Sequence, residues 1–319
     1  MFIGVDLGGT NIAAGLVDAY GKLLHNESIP TYKEREAYDI ICDIEKLITK
    51  IIDKAGTNKS EIESIGIGIP GLADECTGDV IECVNLNWHN VPLRSILEKK
   101  IGVSVYINND ATVAALAEYE AGIMKGVRNG VFITLGTGVG GGIIIDGKVY
   151  TGSNGIGSEI GHMIVGENYY NCNCGRNGCL ETFSSSTALI NYTKKLLQEN
   201  NEESILNVLS DGNINNIDGK MIFDAAKQGD KLANKAVDRM VKYLSIGIMN
   251  IVSIIDPEIF VIGGGLSKAG TFLLEKIQSS VLDNRYFKSF SVGKITIAKL
   301  GNEAGIIGAA MLGKNNNID

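Results

Sequence analysis

The sequence predicts an α/β protein of two domains with mixed sheets, and three observations carry that expectation. Strand-like and helix-like apolar patterns alternate along the chain. The early strands are joined as hairpins, which puts antiparallel pairs beside parallel ones. A unit of strand, glycine turn, strand and hairpin at the N-terminus occurs again near residue 131, as an internal repeat would. A chain of 319 residues also exceeds the size at which one core usually stops growing.

The first copy of the unit reads Phe2–Asp6 as strand, Leu7-Gly8-Gly9-Thr10-Asn11 as turn and Ile12–Val17 as strand. A hairpin at Asp18-Ala19-Tyr20-Gly21 leads into Lys22–Glu27. Ile40, Ile41, Ile44, Leu47, Ile48, Ile51 and Ile52 recur at helical spacing, so a helix is expected over about 36–54, stopped by Gly56. Ile65–Ile69 is a short strand closed by Pro70-Gly71. A helix at 93–100, a strand at 103–107, the triplet Asn108-Asn109-Asp110 and an alanine-rich helix at 111–121 follow.

The second copy has strand Val131–Leu135, a glycine turn over 136–142, strand Ile143–Ile145, hairpin Asp146-Gly147 and strand Lys148–Tyr150. The domain boundary is expected between Asp110 and Gly130. Helices are expected at 187–198 and 230–255, the latter ended by Asp256-Pro257. Strand Glu258–Ile262 enters Gly263-Gly264-Gly265 and a helix from about Ala269. Strand 294–298, a last helix at 303–312 and a frayed polar tail at 314–319 complete the chain.

Composition narrows the function. A formal net charge of −8, with no basic cluster beyond Lys99-Lys100 and Lys194-Lys195, argues against a nucleic-acid partner. No apolar run approaches the ~18 residues of a membrane span. The strand pattern at Phe2–Val5 is unlike a signal peptide, so a cytoplasmic protein is expected, in which clustered cysteines more often bind metal than pair. The 40 glycines are nearly twice the usual ~7% share. With no collagen period or linker run, they belong in tight turns and close backbone approaches.

Two segments, Gly66–Gly71 and Gly136–Gly141, match the dinucleotide pattern G-x-G-x-x-G. Neither precedes a helix, which that fingerprint needs to hold a pyrophosphate, and no Walker A sequence occurs. The two glycine hairpins are better read as phosphate cradles. Such turns present several backbone N–H groups on one side, and Thr10 and Thr137 each add a hydroxyl. Asp6, ending its strand, could orient Mg²⁺ or its waters. Ordinary hairpins are the plain alternative, and two at corresponding places favour the cradle. Asn109-Asp110, where a strand meets a helix, suits either a helix N-cap or a carboxylate general base at a crevice beyond the strand ends.

Three of the six cysteines and one of the three histidines fall between His162 and Cys179. Their spacing is His, nine residues, Cys, one residue, Cys, four residues, Cys. Thiolate and imidazole at short spacing suit tetrahedral Zn²⁺. The tight Cys-x-Cys is unlike the knuckle of a DNA-reading finger. Chance thiols or an iron–sulfur site are the alternatives. Glu159 and Glu181 bracket the cluster without being needed by a Cys3His site.

The run Cys172-x-Cys174-Gly175-x-x-Gly178-Cys179-x-Glu181, preceded by Glu159-x-Gly161-His162, resembles the signature of the ROK family of repressors, uncharacterised reading frames and sugar kinases. The likeness extends over essentially the whole chain and is nearest to the bacterial glucokinases. It implies a two-lobed ribonuclease-H-like fold of the actin-like, hexokinase-type ATPases, with a sugar in the cleft between lobes. The small lobe would be residues 1–112 joined by a C-terminal helix at 302–319, and the large lobe, 113–301, would carry the zinc loop.

By that resemblance, Asp6, Gly8, Gly9, Thr10 and Asn11 form the first site for ATP and Mg²⁺, and Gly136, Thr137 and Gly138 the second. Gly264 and Gly265 lie against the adenosine. Asp110 takes the proton of the sugar 6-hydroxyl. Asn109, Asp110, Glu159, His162 and Glu181 bind sugar hydroxyls, and the backbone at Gly71 closes the pocket. His162, Cys172, Cys174 and Cys179 hold a structural zinc, with the second ring nitrogen of His162 toward the sugar. Asn11 and Ser158 depart from the residues common at those places. Asn85-Leu86-Asn87-Trp88 with Val91-Pro92-Leu93 resembles the glucokinase form of that loop and makes glucose the implied substrate, ahead of N-acetylmannosamine, N-acetylglucosamine, allose or fructose. A homodimer is implied as well. A ROK repressor would need a helix-turn-helix before the first loop, for which a strand beginning at Phe2 leaves no room, and both phosphate loops are intact. An ATPase acting on proteins would have no use for the zinc loop.

Overall fold

The computed structural model describes residues 1–199 and 203–316. The chain forms two compact units. Unit 1 comprises Met1–Phe132, Gly142–Ser158 and the chain from Ala298 on, and unit 2 comprises Ile133–Gly141 and Glu159–Ile297. Contacts therefore draw the line elsewhere than 112/113, and the alanine-rich helix stays with unit 1.

In unit 1, β1 (Phe2–Leu7), β2 (Asn11–Val17) and β3 (Leu23–Pro30) form an antiparallel meander. The isoleucine stripe of α1 (Ala37–Ala55) is buried, and Gly56 ends the helix in the left-handed region, donating to the carbonyls of Ile52 and Asp53. β4 (Ser64–Ile69) runs parallel to β1. A small antiparallel sheet of β5 (Leu72–Ala73), β6 (Val80–Cys83) and β7 (Trp88–Val91) follows. Its short strands carry Glu82, His89 and Asn90 with no clean alternation, so no strand pattern marks it in the sequence. Trp88, buried in β7, is a core residue. After α2 (Leu93–Ile101), β8 (Val105–Asn109) pairs parallel with β4 and passes without a break into α3 (Asp110–Glu120).

The sheet order β3-β2-β1-β4-β8 has a counterpart later in the chain. β9 (Gly130–Leu135), β10 (Val139–Ile145) and β11 (Lys148–Tyr150) are the second meander, turned at Asp146-Gly147 with φ of 51° and 76°, as a two-residue hairpin needs. In unit 2 come α4 (Glu181–Ser184), α5 (Ser186–Glu199), α6 (Ile205–Leu209), α7 (Gly219–Lys227) and α8 (Lys231–Ile255), then β12 (Ile259–Gly263), α9 (Thr271–Asp283) and β13 (Lys294–Ile297), parallel to β12. The order β11-β10-β9-β12-β13 matches that of the first sheet strand for strand, which is the internal repeat expected.

Three local expectations change. The glycine turn at 136–142 is shorter, because β10 already begins at Val139. Gly142 is glycine for packing: a Cβ there would lie 2.3 Å from the Ala115 side chain. α6 and α7 fall between the expected helices 187–198 and 230–255, where the sequence assigns no element. Polar residues there are helix caps, with Ser204 accepting from Leu206 N–H, and Asp218 from Met221 N–H. The last helix, α10 (Ala304–Asn316), outruns its expected end, and Lys314 pairs with Glu120 at 2.7 Å instead of fraying. The rest of the expected tail lies outside the described residues.

α10 sits against the first sheet and α3 at backbone distance. A Cβ on Gly4 would fall 1.8 Å from the carbonyl oxygen of Ile306, one on Gly66 1.7 Å from that of Ala309, and one on Gly308 1.8 Å from that of Val113. The glycines of the first G-x-G-x-x-G match thus include a helix-packing residue in a strand. Because each obstacle is backbone, no rotamer change relieves it. Gly308→Ala is expected to cost ~1–3 kcal/mol or more, seen as a lowered midpoint in thermal or urea unfolding. Gly265→Ala, whose Cβ would meet nothing within 4 Å, should unfold like the parent.

Candidate active site and metal centre

Unit 1 holds the candidate base and the first glycine loop. The β8–α3 junction settles which of two adjacent residues caps the helix. Asn109 Oδ1 accepts from Ala111 N–H at 2.9 Å and Thr112 N–H at 3.4 Å, while its Nδ2 donates to the carbonyl of Gly71 at 3.2 Å. Asn109 is thereby the N-cap, and it ties Gly71 to the same corner. Asp110 is the first helical residue, exposed, with Oδ1 accepting from Ala111 N–H at 2.8 Å.

The loop Leu7–Asn11 closes through Gly8 N–H to the carbonyl of Asn11 at 3.0 Å. Thr31, which the sequence did not single out, grips the loop from outside. Its hydroxyl donates to the carbonyl of Gly8 at 2.6 Å, and its N–H to that of Thr10 at 2.8 Å. Asp6 lies half-buried against Gly305, and burial raises its carboxyl above the usual range.

Unit 2 holds the second loop, the two glutamates and the cysteine cluster. Gly136 N–H donates to the carbonyl of Gly138 at 3.0 Å. The head of α5 fixes this loop too: Ser186 N–H donates to the carbonyl of Gly136 and the Thr187 hydroxyl to that of Thr137, both at 2.8 Å. The Ser/Thr run before α5 was legible as a helix start, though its grip on the loop was not. Gly264, at φ 80°, packs on Leu135, whose carbonyl oxygen would be 2.5 Å from a Cβ there. Gly265 and Gly136 face open space.

Val139 is where these pieces meet. Its N–H donates to Glu181 Oε2 at 3.1 Å, and a Cβ on Gly138 would lie 2.2 Å from that oxygen, so a side chain there would displace the carboxylate. The carbonyl oxygen of Val139 would be 2.0 Å from a Cβ on Gly161. The short turn carrying His162, with Glu159 just before it, therefore rests directly on β10. Glu181 and the turn that carries Glu159 and His162, about twenty residues apart in sequence, thus both meet Val139 at the exit of the second loop.

His162, Cys172, Cys174 and Cys179 place one ligand atom each within 4.8 Å of all the others. His162 Nδ1 is 3.7 Å from Cys172 Sγ, and Cys174 Sγ is 3.6 Å from Cys179 Sγ. Bond lengths of ~2.0–2.3 Å to a tetrahedral zinc correspond to ligand–ligand edges of about 3.5–3.8 Å, so the donor set and its size both fit. The backbone N–H of Arg176 is the chief cause that draws the Cys174 thiol down to about 6, whereas burial pushes Cys172 up to about 12 and raises Cys179. Arg176 also donates to the carbonyl of His162 at 2.6 Å. Glu181 Oε1 lies 3.7 Å from Cys172 Sγ, so the carboxylate borders the cluster without joining it. Cys174→Ala or Cys179→Ala should reduce zinc from about one per chain to well below that in elemental analysis of purified protein, and Cys76→Ala, outside the cluster, should leave it unchanged.

The sequence profile of the ROK family matches residues 2–316. A glucokinase of Halalkalibacterium halodurans is 36% identical over 320 residues, 98% of this chain and 94% of the relative. A crystal structure of a ROK family glucokinase from Streptomyces griseus, in complex with glucose and AMPPNP, superposes with a TM-score of 0.84 at 35% identity, covering 98% of this chain and 99% of that one. A xylose repressor of Caldicellulosiruptor bescii is 34% identical over 306 residues, 96% of this chain and 76% of the repressor. The paired sheets thus have the α/β, ribonuclease-H-like plan that the resemblance implied. The chain belongs to the ROK family and has the fold of its sugar kinases.

Proposed function

We propose that this protein is an ATP-dependent glucokinase that phosphorylates glucose at its 6-hydroxyl, with Asp110 as general base. The observation that carries the proposal is the arrangement at the head of α3. Asn109 is the N-cap, and the carboxylate of Asp110, the first helical residue, is exposed where the parallel strand β8 ends. Strand ends of this kind are where ligand sites of open α/β sheets form. End-to-end similarity to glucokinases, among them one crystallised with glucose and a nucleotide analogue, supports the substrates.

In this reading Asp110 accepts the proton of the 6-hydroxyl as its oxygen attacks the γ-phosphorus of ATP, and the bond from that phosphorus to the oxygen of departing ADP breaks. Phosphoryl transfer asks chiefly for positioning and charge neutralisation. The N–H groups of Gly8–Asn11 and Gly136–Gly138 and the hydroxyls of Thr10 and Thr137 would serve the phosphates, with Asp6 toward Mg²⁺ or its waters and Gly264-Gly265 beside the adenosine. Magnesium would supply charge neutralisation of the phosphates. Asn109, Glu159, His162 and Glu181 would bind sugar hydroxyls, with the backbone at Gly71 bordering them. Asn109 has one Nδ2 hydrogen left for this after its cap and its bond to Gly71.

The zinc would be structural. It would hold His162 by Nδ1, the nitrogen that faces Cys172, and so fix the tautomer that Nε2 offers to a hydroxyl.

The second reading is a sugar-responsive regulator without catalysis, favoured by the likeness to the xylose repressor. A coupled assay with ATP, Mg²⁺ and a panel of hexoses separates the two. Glucose is expected to be turned over fastest, and Asp110→Ala to lower kcat by about 10²–10⁴ while glucose still binds by calorimetry. Sugar binding without turnover on any hexose would favour the regulator.

A further inference from the structure

Behind the zinc loop, Arg239 of α8 occupies a cage of four aromatic rings. Its guanidinium carbon lies 4.3 Å from the ring centroid of Tyr192, 4.8 Å from Phe183, 5.4 Å from Tyr243 and 5.9 Å from Tyr169. These rings come from α5, α4, α8 and the loop itself. Phe183 and Tyr243 stack at 3.8 Å, and Gly166 of the loop abuts the edge of the Tyr243 ring, where a Cβ would lie 2.9 Å from Cε1. A planar cation that stacks on aromatic faces while donating from its edge can join such elements, which an ammonium does less well.

The edge of Arg239 leads to Glu181. Nη2 donates to Asn168 Oδ1 at 2.8 Å, and Asn168 Nδ2 donates to the carbonyl of Thr182, next to Glu181, at 2.7 Å. Tyr170 donates its hydroxyl to the same carbonyl at 2.8 Å. Asn168 is also tied into the cysteine loop: its N–H donates to Asn177 Oδ1, and Asn177 Nδ2 donates back to its carbonyl. None of these bonds uses a group of the proposed zinc site.

We propose that Arg239 is a positioning residue that holds the segment 166–183, and with it Glu181, independently of the metal. Its bearing on sugar affinity rests on Glu181 binding sugar, as proposed above; the anchoring itself does not. The experiment compares purified wild type with Arg239→Met and Asn168→Ala, all with zinc quantified. Hydrogen exchange over 166–183 should quicken in both variants while zinc stays at the wild-type level. KM for glucose should rise ~10–100-fold with KM for ATP little changed.

A residue that merely stabilises the fold would lower the unfolding temperature and leave both the exchange pattern and the KM split as in wild type, and that result overturns the proposal. So does a loss of zinc that accounts for the change in exchange. If Arg239→Met does not fold, Asn168→Ala, which spares the aromatic cage, decides alone. If wild type shows no sugar turnover or binding, the kinase reading fails, while the exchange measurement still decides the anchor.

Discussion

The contact on which unit 1 depends is that of α10 with the first sheet and α3, made backbone to backbone. Gly4 and Gly66 in the strands and Gly308 in the helix each remove a Cβ that would land under 2 Å from a carbonyl oxygen. Close approach of this kind lets α10 seat its apolar side chains on both neighbours at once, with Ile306, Ala309, Ala310 and Met311 all buried. Residues from the two ends of the chain thus share one core. The consequence for chemistry is positional, because α3 carries Asp110 at its head.

α3 is also where returning chain is fastened. The Thr112 and Ser158 hydroxyls meet at 3.2 Å in a buried contact, Gly142 lies on Ala115, and the buried Glu118 accepts from the N–H groups of Lys299 and Leu300 through one oxygen and of Ile123 through the other. A buried carboxylate is tolerated when its oxygens are satisfied in this way. Gly142, Ser158 and Ala298 are three of the four residues at which the chain enters or leaves unit 1, the other being Phe132. One helix therefore presents the candidate base and anchors three of these passages.

In unit 2 the equivalent economy is at Val139. The backbone of one residue accommodates Gly161 at its carbonyl and Glu181 at its N–H, so the turn before His162, Glu181 and the second glycine loop share one support. The cysteine cluster and the Arg239 cage both draw on the segment 162–183. The cage adds Tyr192, Arg239 and Tyr243 from outside that segment, and the two fastenings use separate atoms and different physics, thiolate and imidazole donors in one, ring faces and amide bonds in the other.

Much of this was legible in the sequence, because it rests on local physics. The isoleucine stripe of α1, the Asp146-Gly147 turn, the Cys/His spacing and the repeated meander all follow from periodicity, backbone preference or ligand chemistry within a few residues. Motif and spacing were also enough to name the family. What only tertiary structure decided was which atom each residue spends on what. Asn109 and not Asp110 became the cap, Gly140–Gly142 joined a strand instead of a turn, and the polar residues at 204–218 became caps of two further helices. Thr31, Val139 and Arg239 carry no mark in sequence, because their hydrogen-bond partners lie 21 to 71 residues away and only folding brings them within reach. Local propensity is written in neighbouring residues, whereas a hydrogen bond or a forbidden Cβ depends on where distant backbone comes to rest.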